Sequence, residues 1–76
     1  MKKPDLSGRV TPELARQSVE YIREIARDHE AAHAFEDLIR EAVLQTIAEF
    51  QDLGDHVELA RIAMSSSLIP FRRYCA

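Results

Sequence analysis

Two histidines four residues apart, with a glutamate beside the first, give His29-Glu30-Ala31-Ala32-His33 the His-Glu-x-x-His spacing of zinc peptidases. On one helix both imidazoles share a face and can bind one ion, and the glutamate then activates the metal-bound water. Glu36 and Asp37 follow within a turn and His56 lies farther on, so His29 and His33 with Glu36, or Asp37, form the candidate ligand set for zinc. Peptidase chemistry also needs a wall that holds the substrate extended and a cleft between two lobes, which 76 helical residues do not supply. Arg27, moreover, puts a charge where such helices carry none. The other reading of these residues is a solvated face with ordinary pairs: Glu36 to Arg40 at four residues, Asp37 to Arg40 at three, and His33 near Asp37. Exposed pairs of this kind contribute only about 0.2–0.5 kcal/mol each. The expectation is therefore a region of scaffold and surface with no cofactor, and zinc is the alternative.

Other catalytic arrangements fail sooner. There is no glycine-rich phosphate loop, no serine nucleophile with orienting turns, and no cysteine pair. Cys75 is the one cysteine, with no fixed base beside it to lower its pKa, and reads as a small apolar residue tucked under the fold. No enzyme is expected. The C-terminal Phe71-Arg72-Arg73-Tyr74 sets two aromatics beside two guanidinium groups, a mix enriched where proteins bind proteins. Together with His33, Glu36 and Asp37, residues Phe71, Arg72, Arg73 and Tyr74 make up the candidate partner-binding set. The competing reading folds Phe71 and Tyr74 back over the core while the arginines pair with the acidic body.

Size and charge bound the partners. Seventy-six residues make one domain. A core this small supplies about 3–5 kcal/mol, so a staple is usual, and with one cysteine an intrachain disulfide is excluded. Metal and self-association are the staples left. The formal charge of −3 hides an asymmetry: residues 13–58 hold twelve acids against four arginines, while six basic residues outside that window face only Asp5. An acidic body repels phosphate at long range, so nucleic acid is not an expected partner. The basic start Met1-Lys2-Lys3-Pro4 is followed by no apolar run, and no apolar stretch approaches the ~20 residues of a membrane span. A cytoplasmic protein that binds another protein is expected.

Three helices must position these residues. Residues 1–10 lack periodicity and read as a flexible arm, and Thr11-Pro12-Glu13 is a helix start with hydroxyl cap, proline at the first position and acid in the first turn. Leu14, Ser18, Ile22 and Ile25 line one side at helical spacing, flanked by Ala15, Tyr21 and Ala26. A second stripe, Phe35, Leu38, Ile39, Ala42, Val43, Thr46, Ile47, Phe50 and Leu53, is rotated from the first. A straight helix through both would bury His29, His33, Glu36 and Arg40 in the first stripe, so a break is placed at Asp28, which can cap a new helix. Gly54 is expected to end helix 2 in the left-handed conformation, and Asp55 with Glu58 to open helix 3. Leu59, Ala60, Ile62, Ala63 and Met64 offer its packing face, the three serines 65–67 weaken it, and Pro70 keeps Ile69 extended. The expected fold is all-α, a small three-helix bundle over about 12–27, 29–53 and 56–66, with a helical domain at 11–68 and an extended C-terminal tail at 69–76. Helix 2 has a wider apolar face than one neighbour covers, so either helices 1 and 3 share it or a homodimer forms through helix 2.

Residues 28–76 carry Ala32-His33 with Glu36-Asp37, then Val43-Leu44 with Ile47-Ala48, and close on Phe71, Arg73, Tyr74, Cys75 and Ala76. In these motifs the chain resembles small uncharacterised helical proteins of bacteria and prophages that carry Ala-His-x-x-Glu-Asp, Val-Leu-x-x-Ile-Ala and Phe-x-Arg-aromatic-Cys-Ala. Tyr74 stands where tryptophan is expected, which keeps the aromatic role. The resemblance attaches no activity. It implies that the polar residues around His33 and the aromatic end belong to one surface, and a small regulator of phage or mobile-element type fits this size.

Overall fold

A computed structural model describes residues 2–49, 54 and 56–73. These residues form three α-helices, α1 (Pro12–Ile25), α2 (His29–Glu49) and α3 (His56–Ser65), followed by a 3-10 turn over Ser66–Leu68. The expected three-helix architecture is present, with no strand among the described residues.

The starts are local chemistry. Thr11 is extended at φ −88° and ψ 162°, and its hydroxyl accepts the Leu14 N–H at 3.1 Å, with Pro12 in the first turn. Asp28 does the same for α2: its carboxylate accepts the Ala31 N–H at 3.0 Å and its carbonyl the Ala32 N–H at 2.9 Å. The break thus falls where two conflicting stripes required it, although α1 stops at Ile25 rather than at 27. One expectation about ends is corrected: Gly54 does not have a positive φ, so it is not a left-handed glycine, while α2 is described as far as Glu49. Phe50, Leu53 and Asp55, assigned to the second stripe and the third start, lie outside the described residues.

The core gathers Ala15, Val19 and Ile22 of α1, Ala32, Phe35, Ile39 and Val43 of α2, and Leu59 and Ala63 of α3. Tyr21 meets Phe35 edge to face at 4.8 Å between centroids. Ser18, inside the apolar stripe of α1, is fully buried at no net cost, because its hydroxyl donates to the Leu14 carbonyl one turn back at 2.8 Å.

Both ends of the described chain add to this core. Val10, placed in the arm from its surroundings, is fully buried, and its N–H donates to the buried Thr46 hydroxyl of α2 at 3.0 Å. Leu6 packs against the same core, and the Lys3 ammonium stands 5.9 Å from the centre of the Phe35 ring. At the other end Ile69 is extended, as a residue before proline should be, and is 4 % exposed, while Phe71 packs against the core. Among the described residues of the wide α2 face, Phe35, Ile39, Val43 and Thr46 are buried within the chain. Leu38, counted into that face, is about half exposed beside Lys3 and Phe35. Met64, offered by spacing to the packing face of α3, points outward at 69 % exposure.

Candidate functional site

Glu36 is the polar centre of the molecule. It lies on α2 between Ala32, Ile39 and Val43 in the buried spacing, and only 1 % of it reaches solvent. A buried carboxylate needs compensating partners, and this one has four contacts. Arg73 grips it as a fork, donating from Nε to Oε1 at 2.9 Å and from Nη2 to Oε2 at 3.1 Å. The Ser66 hydroxyl donates to Oε2 at 2.6 Å, and the Arg40 guanidinium stands 3.6 Å from the same oxygen, 3.3 Å from the Ser66 hydroxyl it donates to. Burial pushes the Glu36 carboxyl pKa up, but the hydrogen bonds of Arg73 and Ser66 and the charges of Arg40 and Arg73 pull harder, and the net shift is downward.

Arg73 is held as firmly as it holds. It also donates to the carbonyls of Ser66 at 2.6 Å, Ile69 at 3.0 Å and Phe71 at 3.3 Å, and its guanidinium stacks 3.8 Å over the Phe71 ring. The 3-10 turn makes this possible. Ser65 and Ser67 turn their hydroxyls back to the Ile62 and Met64 carbonyls, closing the end of α3, while Ser66 points inward to Glu36. Ser66 was missed in the sequence, where the three serines read only as a weakened helix. The usable signal was its place in the series Leu59, Ala63, Ser66, the core spacing of α3.

The two candidate sets separate accordingly. Glu36, expected on a solvated face, is buried, and with the half-buried Arg73 and Phe71 it forms an internal clasp that the tail closes. His33 is half-buried, with Nε2 3.4 Å from the exposed Asp37 carboxylate and Nδ1 buried without a hydrogen-bond partner among the described residues. Arg72 is exposed, and Tyr74 and Cys75 lie outside the described residues. The expected Glu36–Arg40 and His33–Asp37 pairs are present.

Glu36, the third ligand of the alternative, is turned to two guanidinium groups and a hydroxyl, and among the described residues no three of His, Cys, Asp and Glu are grouped to share an ion. His56 is exposed at the start of α3.

A different surface was not singled out by the sequence. Among the described residues the exposed large apolar side chains are Leu38 and Leu44 of α2, Val57 and Met64 of α3, and Leu68 of the 3-10 turn. Leu44 and Met64 wall an open groove of about 240 Å³ whose floor is Ala60 and Ala63, with Arg40 at one end. Val57 continues the Met64 row two turns back on α3, and Leu68 follows in the 3-10 turn. The signal was present, since α3 carries apolar residues at 57, 60 and 64 as well as at 59, 62 and 63, and a helix in a small bundle buries only one side. Comparison of the chain with protein-family models, with curated proteins and with solved structures finds no match.

Proposed function

We propose that this chain is a non-enzymatic protein–protein interaction module that receives a protein partner on the apolar face formed by α2 and α3. The observation carrying this reading is the groove that Leu44 and Met64, 67 % and 69 % exposed, wall over Ala60 and Ala63, with the exposed Val57 two turns before Met64 on α3. Scattered apolar residues are ordinary on a protein surface, but a contiguous row with an apolar floor marks a contact site. The acidic charge of −3 supports a protein rather than a nucleic acid as partner. The clasp around Glu36 supplies the rigid end of this face, since Arg40 touches both the carboxylate and the groove. No helix of the described residues is long and apolar enough to cross a membrane. A small regulator, the role implied by the prophage-type resemblance, would act through this face.

A photoreactive residue placed at Met64 should give covalent adducts with protein in living cells, and the same residue at Gln17, exposed on α1, should not. Absence of any protein adduct from both Met64 and Leu44 would refute the reading.

A further inference from the structure

We infer that the partner on the α2–α3 face is a second copy of this chain, related by a two-fold axis running parallel to the two helices. The inference rests on the interaction reading above and adds the partner. Its ground is the way charge is laid out on either side of the apolar row. On the α2 edge, Asp37 and Glu41 lie at seven and three residues before Leu44, on its side of the helix, and both are exposed. On the far edge of α3 lies Arg61, four residues after Val57 and three before Met64, at the border of the groove that α3 makes with α1. The face therefore runs from acid, through Leu44, the alanine floor and the Met64 row, to base.

A two-fold axis along the helices turns that order end for end. Leu44 of one copy then meets the Met64 row of the other, and the acidic edge falls on the basic edge twice over. Of the three arginines around the α1–α3 groove, Arg16 pairs with Glu58 and Arg23 with Glu20, whereas Arg61 has no charge partner among the described residues, and neither has Glu41. A strongly acidic or strongly basic partner would satisfy one edge and be repelled by the other. A copy of the same chain satisfies both.

The size of the face sets the strength. Ten residues of α3 and three of the 3-10 turn span about 20 Å, and two packed helices about 20 Å, so the face is some 400 Å² in projection. Over two copies that is about 800 Å², the size of a weak and transient interface, and a dimer that forms toward the upper end of the micromolar range is expected.

Sedimentation of the full chain between about 1 µM and about 1 mM should show its mass rising from one chain toward two. Leu44→Glu, at an exposed position, should stay monomeric with an unchanged helical melt. Glu41→Arg and Arg61→Glu should each weaken association about tenfold, and the double variant should recover most of the loss. A monomer throughout the range, or a double variant as weak as the sum of the single ones, overturns the inference. The adducts from Met64 distinguish its failure from that of the broader reading. A doubled chain is expected; a different protein with no doubled chain refutes self-pairing alone, and no adduct refutes both.

Discussion

A carboxylate with 1 % exposure is held in place by one guanidinium that arrives 37 residues later in the chain. Removing one partner of such a pair strands the other, at a cost of about 3–5 kcal/mol, whereas replacing both with apolar groups of similar volume is often neutral. Arg73→Ala should therefore lower stability by about 3 kcal/mol, most of what a domain of this size has, while Glu36→Leu with Arg73→Met should restore a cooperative melt. Thermal unfolding by circular dichroism checks both, and a mild effect of Arg73→Ala would mean that the pair is solvated. The pH dependence follows from the same contact. Because the Glu36 carboxyl pKa is lowered by folding, the native state binds that proton less readily than the unfolded chain. Its stabilisation is complete above the ordinary glutamate value of about 4.3 and is lost as pH falls through the lower folded value. Urea midpoints taken from neutral pH into that acid window should fall less steeply in Glu36→Gln than in the parent chain. Zinc added to chelator-treated protein should leave the melting temperature unchanged, since Glu36 is already taken; a clear rise would restore the histidine motif as a metal site.

Helix starts were readable because they are local. Thr11 and Asp28 each cap a helix with the atoms that their side chains carry, and Asp28→Ala should cost about 1 kcal/mol, or roughly 4–8 °C in melting temperature for a domain this small. The separation of α1 from α2 followed from two apolar stripes that no single straight helix could bury. Burial of Glu36 was not readable, because the sequence around it gives a glutamate near Arg40 and Asp37, the signature of a wet surface, and the deciding partners sit in the 3-10 turn and the tail. Val10 was missed for a related reason: a single apolar residue between arginine and threonine has no periodicity, and only its hydrogen bond to Thr46 shows where it goes. The outward row on α3 was misjudged differently. Apolar residues on both sides of a short helix look like one broad core face until the neighbours are known to cover only Leu59, Ile62 and Ala63.

At the scale of the whole molecule, a core this small depends on the segments before α1 and after α3. Ending the chain at Leu68 removes a buried isoleucine, an aromatic packed on the core and the arginine clasp together, and should abolish the cooperative transition. A truncated chain that still melted cooperatively would assign the last residues to recognition instead of folding. The clasp also bears on the order of events during synthesis. A nascent chain that has emerged only through α2 carries Glu36 with Arg40 but without Ser66 or Arg73, so the buried ion pair is completed only once those later residues have been made.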